Sequence, residues 1–227
     1  MHLPHPWLLF DADGTLLDYN AAERKALTAT FAAAGYSWTD DYANTYRLIN
    51  GEVWAAFERG ELSQPELNRL RFERTLKALD LDTAVDDFAD SYLAHLSRTT
   101  DLVEGALNVI PELAKQHRLY LITNGIPRVQ HGRFGLSPLR PYFEGMVISG
   151  EVGHAKPDAR IFDAAFEGMG RPPRRDVLII GDSLSADIKG GLSYGIDACW
   201  YNPHGRHRPP GLVPTYEIRD LRELLDL

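Results

Sequence analysis

The stretch Leu8-Leu9-Phe10-Asp11-Ala12-Asp13-Gly14-Thr15-Leu16 decides how the rest of the chain is read. Its apolar residues describe a buried strand, two carboxylates follow one residue apart, and Gly14 and Thr15 supply a turn. Side chains alternate along an extended chain, so Asp11 and Asp13 share a side and point toward one spot beyond the strand's carboxyl end. Open parallel α/β sheets place their ligands there. Two anions so close repel, and a protein tolerates the pair where a cation lies between them or one carries a proton. An ordinary strand ending in an Asp-Gly turn has the same local spelling, so the remaining chain must decide.

Downstream of Leu17 the pattern turns helical and stays so to about Arg98. Asn20 with Glu23 has capping-box spacing, and Leu27, Phe31 and Ala34 share a face that ends at Gly35. Tyr42, Tyr46, Ile49, Val53, Trp54 and Phe57 continue at helical intervals, with Gly51 as a candidate break. Ser63 with Glu66 is a second capping box, and Pro65 sits in the first turn, where its missing N–H costs little. Leu67, Leu70, Phe72, Leu76 and Leu79 form a third helix; Val85, Phe88, Tyr92, Leu93 and Leu96 form a fourth. Such stripes read as core. From Val103 the chain alternates: a helix over 104–116, strands at Leu119–Thr123 and Met146–Ser149, a helix opened by Pro157, a strand at Asp176–Ile180, a helix over 185–194 and a strand at Asp197–Tyr201. A loop over 205–214, a short strand and a helix end it. Strands alternating with helices of this length imply right-handed crossovers and a doubly wound parallel sheet of α/β class. Residues 1–17 and 98–227 would form that core, with 18–97 an inserted all-helical cap.

A chain of 227 residues, 44% hydrophobic and 25% charged, can bury the core this requires. Its formal net charge of −8 and its scattered basic residues argue against nucleic acid as a partner. Cys199 is the lone cysteine, which excludes an internal disulfide and fits a reducing cytosol. Between Ala198 and Trp200 it reads as a packed strand residue. Met1–Pro6 lacks the plan of a signal peptide, and no apolar run is long enough to span a bilayer. The expectation is a cytoplasmic protein with no membrane partner.

Four signals fall at strand ends. Asp11 and Asp13 follow the first strand; Thr123-Asn124-Gly125 follows the second with a hydroxyl, an amide and a permissive backbone. Lys156 immediately precedes Pro157. Gly181-Asp182-Ser183 follows the most apolar strand, and Asp187 lies five residues after Asp182. Each has a bland reading: a β-branched filler, a solvated lysine, carboxylates that cap the next helix. Their joint order on one alternating scaffold favours a site.

In these residues the chain resembles the haloacid dehalogenase (HAD) superfamily, which carries D-x-D-G-T, a strand-terminal Ser/Thr, a Lys and G-D-x(3–4)-D. The resemblance spans the chain, and the helical insert looks like that superfamily's type 1 cap. Leu121-Ile122-Thr123-Asn124-Gly125, Ser149-Gly150-Glu151-Val152-Gly153 and Ala155-Lys156-Pro157 are similar to the cytosolic pyrimidine 5′-nucleotidases, as are Trp54–Gly60 and Cys199-Trp200-Tyr201-Asn202. One departure is Gly14, where some of that group carry Glu.

The resemblance implies a Mg²⁺-dependent phosphomonoester hydrolase acting on a small phosphorylated metabolite. An ionised Asp11 needs no base to act as nucleophile. Its obstacle is a phosphate dianion, since unit charges at ~4 Å repel by roughly 4 kcal/mol at an effective dielectric of ~20. A divalent cation removes that barrier. The implied ligands are the Asp11 and Asp182 side chains and the Asp13 backbone carbonyl, leaving the Asp13 side chain free as general acid and base. Thr123, Asn124, Gly125 and Lys156 would bind the phosphoryl group, and Asp187 would hold Lys156 or a second-shell water. An aspartyl-phosphate would form and hydrolyse. Asp13 separates this plan from the dehalogenases, which lack it and need no metal. A nucleoside monophosphate, pyrimidines favoured, is the expected substrate; phosphoglycolate or a sugar phosphate is the alternative, and a mutase keeps the same motifs.

Two other classes compete. Gly181-Asp182-Ser183-Leu184 spells the motif of the GDSL serine esterases, but it lies late in the chain and no Asp precedes His204 or His207 at the required spacing. A metal- or phosphate-binding protein without turnover would need a broken catalytic set, and none is evident. The histidines show no metal spacing, and His204 and His207 beside Arg206 and Arg208 read as a solvated loop. Asn50, Trp54, Arg71 and Phe72 are cap residues within the range of a leaving group, although helix packing accounts equally for Trp54 and Phe72. The strands that end in Asp11 and Asp182 should be neighbours.

Overall fold

The computed structural model describes residues 3–227, apart from the side chain of Glu58; Met1 and His2, the start of the stretch read for a signal peptide, lie outside the described residues. A six-stranded parallel sheet has the order β3-β2-β1-β4-β5-β6. The strands are β1 (Trp7–Phe10), β2 (Arg118–Thr123), β3 (Phe143–Ile148), β4 (Val177–Gly181), β5 (Asp197–Tyr201) and β6 (Tyr216–Ile218). The chain winds outward from β1 through β2 to β3, then returns to start β4 on the other side of β1. The order therefore reverses between β1 and β4, where Phe10 lies opposite Ile180. A crevice opens at such a reversal because the flanking connections leave in opposite directions. Asp11 and Asp182 stand at its lip, on neighbouring strands as expected.

The strand interiors are apolar because both faces of the sheet are covered, and the charged residues Arg118, Glu144, Asp197 and Glu217 fall at strand starts or on the edge strands. Leu8, Phe10, Leu119, Leu121, Leu178, Ile180, Cys199 and Tyr201 enter one buried cluster, with Val109 and Ile110 of α5 (Ala106–Leu113). Their alternates Trp7, Leu9, Tyr120, Ile122, Val177, Ile179, Ala198 and Trp200 enter the other, against Ile161 and Phe162 of α8 (Ala159–Gly168) and Tyr194 of α9 (Lys189–Tyr194). The two-residue period of the pleat makes that division. Cys199 is fully buried, as its neighbours implied.

Between β1 and α5 lie α1 (Tyr19–Ala33), α2 (Asp40–Glu58), α3 (Gln64–Ala78) and α4 (Val85–Leu96). They enclose a third cluster around Phe31, Tyr46, Phe72 and Tyr92, which also takes Val129 of α6 (Pro127–Leu136). A single turn, α7 (Ser149–Val152), follows β3. No helix among the described residues is long and apolar enough to cross a membrane.

Several ends differ from the pattern reading. Asp18, not Asn20, caps α1: its backbone is extended and its Oδ1 accepts from Ala21 N at 3.0 Å. Glu23 instead faces inward, buried. The helix α2 runs through Gly51 unbroken, since a mid-helix glycine weakens a helix without removing its hydrogen bonds. The helix after Pro157 starts only at Ala159, because Asp158 turns its carboxylate onto Arg160 N at 2.9 Å. The helix expected over 185–194 opens as a π-turn at Leu184–Ile188 before α9. The Ser63–Glu66 capping box is formed as read.

The cap assignment is testable by stability. Asp18→Ala leaves the Ala21 N–H without its acceptor and lowers the unfolding free energy by about 1 kcal/mol in urea melts. Asn20→Ala, which removes no cap, changes it by less than about 0.5 kcal/mol.

Candidate active site

Past Phe10 the backbone of Asp11 still donates to Ile180 O at 2.9 Å, so Asp11 leaves the sheet in register with Gly181. A tight turn follows, in which the N–H groups of Leu16 and Leu17 both donate to Ala12 O. Gly14 takes φ +85 there, and a Cβ at this position would stand 3.1–3.2 Å from the Asp182 carboxylate. This is a position for glycine on both counts. The turn returns Thr15 to Asp11, and the Thr15 hydroxyl donates to Asp11 Oδ2 at 3.1 Å.

The opposite oxygen of Asp11 accepts from Lys156 Nζ at 2.6 Å. That ammonium also donates to Asp187 Oδ1 at 2.7 Å and to Ile122 O at 3.0 Å, which uses all three of its protons. Lys156 is 1% exposed. Burial by itself would lower its pKa, but the Asp11 and Asp187 carboxylates hold it above the ordinary lysine value. Asn124 anchors the backbone that carries it: Asn124 Nδ2 donates to Lys156 O at 2.9 Å and Lys156 N donates to Asn124 Oδ1 at 2.7 Å. The Asn124 amide thus spends both ends on the Lys156 backbone.

Asp182 lies past β4 with its carbonyl accepting from Trp200 Nε1 at 3.0 Å and from Arg206 Nη2 at 2.7 Å. Asp187 accepts from Ser183 N at 3.0 Å with its other oxygen. Gly181 admits that approach, because a Cβ there would meet Asp187 at 2.3 Å. One oxygen each from Asp11, Asp182 and Asp187 lies within 4.8 Å of the others. Burial pushes Asp11 well above the carboxylate range against the pull of Lys156, with Asp187 and Asp182 adding to the rise. Burial, and then Asp187, lift Asp182 to about 6. Three close carboxylates beside one buried ammonium form a hard-oxygen, electron-rich set that fits a divalent cation.

The Asp13 side chain is held by two donors: Gln130 Nε2 donates to Oδ2 at 2.6 Å, and the guanidinium of Arg133 pairs with Oδ1. Gln130 Nε2 also donates to Thr123 Oγ1 at 3.0 Å. Gly125 likewise makes other contacts, its N–H donating to Ser149 Oγ at 3.0 Å and its carbonyl accepting from Gln64 of α3 at 3.1 Å. Ser183 Oγ caps the π-turn by accepting from Ala186 N and lies 3.3 Å from Ser185 Oγ, so it has the partners of a capping serine.

Asp11, Asp13, Thr123, Asn124, Lys156, Asp182 and Asp187 line one cavity of about 130 Å³. A second of about 310 Å³ shares Asp13, Asn124 and Asp182 with it and is walled by Tyr19, Asn20, Asn50 and Trp54. A third cavity of about 670 Å³, between the turn after α2 and the segment over 149–160, holds none of the clustered carboxylates. Phe72 is core, and Arg71 is buried behind Asn50 at 3.5 Å.

Pattern reading misses Thr15, Gln130, Arg133 and Arg206. Gln130 and Arg133 carry a usable signal, two polar residues three apart on the buried face of α6. Arg206 is exposed, as its loop implies, yet its guanidinium reaches Asp182 because Asn202 fixes the loop by accepting from Arg206 N at 2.8 Å and donating to Arg206 O at 3.0 Å.

The chain matches the profile of the haloacid dehalogenase-like hydrolases over residues 6–195. It is 39% identical to the HAD-hydrolase YfnB of Bacillus subtilis, over 96% of this chain and 92% of the relative. The crystal structure of YfnB bound to magnesium superimposes with a TM-score of 0.92 at 38% identity, over 98% of this chain and 97% of that one. It is 35% identical to the pyrimidine 5′-nucleotidase PynA of Streptococcus pneumoniae, over 98% of this chain and 94% of the relative. It is 32% identical to the pyrimidine 5′-nucleotidase YjjG of Escherichia coli, over 97% and 96%. With the fold, the carboxylate cluster and these relatives in agreement, the chain belongs to the haloacid dehalogenase-like hydrolase family.

Proposed function

We propose that the protein is a Mg²⁺-dependent phosphomonoester hydrolase of the cytoplasm that works through an aspartyl-phosphate on Asp11 and prefers nucleoside 5′-monophosphates, pyrimidines foremost. In this reading residues 18–97 act as a cap over a catalytic core of 1–17 and 98–227. The observation that carries it is the pairing of cavities: a small one lined by carboxylates and Lys156 opens into a larger one with aromatic and amide walls. The first suits a phosphoryl group. The second suits a base, with Trp54 and Tyr19 offering ring faces and Asn20 and Asn50 offering hydrogen bonds. The nucleotidase assignments of PynA and YjjG support the same substrate class.

Asp11 is the nucleophile, and Thr15 and Lys156 between them hold both of its oxygens. An Asp11 oxygen bonds to phosphorus as the bond to the leaving oxygen breaks, and Asp13 delivers the proton that oxygen needs. Water then attacks the aspartyl-phosphate, giving its proton to Asp13 and releasing inorganic phosphate. Thr123 and Lys156 face the phosphoryl oxygens. The carboxylates of Asp11 and Asp182 and the backbone carbonyl of Asp13 would hold Mg²⁺, while Asp187 remains on Lys156. When bound, the cation neutralises the repulsion between carboxylate and phosphate.

Asp11→Asn lowers kcat by at least ~10³-fold in a phosphate-release assay if it is the nucleophile; retention of substantial activity overturns the assignment. In a panel of monophosphates, uridine and cytidine 5′-monophosphates give the highest kcat/KM. Faster turnover of phosphoglycolate or of sugar phosphates would remove the nucleotide preference and leave the phosphatase.

A third prediction needs no turnover. Burial, and then the Asp187 carboxylate, push the folded-state pKa of Asp182 up to about 6, above the ordinary carboxylate value. The metal-free fold therefore holds that proton more tightly than the unfolded chain does. Its contribution to stability is full at low pH and is lost as pH rises through about 6. Cation binding needs the carboxylate form. The rise in Tm on adding Mg²⁺ should therefore grow between about pH 5 and about pH 7; a rise independent of pH counts against this site.

A further inference from the structure

Arg133 is a fully buried charged side chain that the mechanism does not use. It is 0% exposed, its Nε and Nη2 have no hydrogen-bond partner among the described residues, and its Nη1 is spent on Asp13. A buried guanidinium with idle donors does little for stability, and an apolar side chain of similar volume would serve packing as well or better. Gln130 is 2% exposed, with its Oε1 also unpartnered, and directs its Nε2 at Asp13 and Thr123. Both residues therefore forgo hydrogen bonds to place donors on one carboxylate. Their helix is well braced, since Phe134 is buried in the cluster on the sheet and Val129 in the cluster of the helical segment. The Arg133 guanidinium also stands 5.8 Å from the ring of Tyr19, which walls the larger cavity.

We propose that Gln130 and Arg133 are positioning residues that fix the Asp13 carboxyl for proton transfer to the leaving oxygen. A carboxyl that turns freely about its side-chain bonds is rarely aligned with the oxygen it must protonate, and alignment is a large part of what a general acid contributes. One donor on each oxygen sets the plane of the group. A carboxylate has about four lone-pair positions, so the clamp leaves positions open on the cavity side. Because Gln130 binds Thr123 as well, it also fixes the acid relative to a phosphoryl contact. The inference rests on the phosphatase reading above.

The leaving group separates this role from a structural one. An alkoxide departs only with a proton, whereas p-nitrophenolate departs without one. Moreover, kcat/KM reports the first chemical step and is blind to the later hydrolysis, in which Asp13 acts as base. The experiment measures kcat/KM for p-nitrophenyl phosphate and for the nucleotide or sugar phosphate hydrolysed fastest, on the same preparations of wild type, Arg133→Met, Arg133→Lys and Gln130→Met. Any loss of folded protein cancels in the ratio of the two values. The alkyl-to-nitrophenyl ratio should fall about 10²-fold in Arg133→Met, less in Arg133→Lys, which keeps the charge, and in the same direction in Gln130→Met. A parallel loss on both esters, or an unchanged ratio, overturns the clamp while sparing the phosphatase. A wild type that hydrolyses neither ester overturns both readings.

Discussion

One buried ammonium organises the catalytic end of this protein. Lys156 Nζ sits among Asp11, Asp187 and the carbonyl of Ile122, so strands β1 and β2 and the turn after β4 are joined through a single atom. Carboxylates gathered as closely as Asp11, Asp182 and Asp187 would otherwise drive the strand ends apart. Removing one partner of such a buried pair costs more than the pair contributes, which commits each member to the others. The ammonium balances only part of the negative charge. The remainder makes the crevice receptive to a cation, and through it to a phosphate.

The surrounding structure serves to hold that atom still. Asn124, at the end of β2, clasps the backbone of Lys156 through a reciprocal amide pair. Asp182 is held mainly by its carbonyl, which accepts from Trp200 and Arg206, while Arg206 lies 3.4 Å from one oxygen of its carboxylate. Gly14 and Gly181 leave out a Cβ where Asp182 and Asp187 need the room. The sheet is apolar on both faces through its central strands β1, β2, β4 and β5, with polar groups there confined to the strand ends. Its hydrophobic stabilisation is therefore gained away from the groups that must stay reactive.

The two cavities draw on different parts of the chain. Charged groups come from the turns after β1 and β4 and the loop before α8, whereas Tyr19, Asn20, Asn50 and Trp54 come from α1 and α2. The aromatic cluster around Phe31, Tyr46, Phe72 and Tyr92 gives α1–α4 a core of their own. Residues of those helices can therefore change the wall of the larger cavity without disturbing the carboxylates.

The sequence by itself determined the sheet, the helical insert and the identities of Asp11, Asp13, Thr123 and Asp182 as groups at or just past strand ends, because periodicity and strand-end spacing are local properties that survive in one dimension. Lys156, read as a strand-end signal, instead lies beyond α7 in the loop before α8, and Asp187 lies within the π-turn. The sequence misjudged Asn20 as a cap and the helix ends near Pro157 and Ser185, where neighbouring side chains compete for the same backbone donors. Only the tertiary structure decided that Thr15 and Lys156 hold Asp11, that Gln130 and Arg133 hold Asp13, and that Arg206 reaches Asp182. Those contacts join residues up to 145 positions apart, and which donor meets which carboxylate depends on helices being laid beside strands at fixed distances. No spacing rule along the chain contains that information.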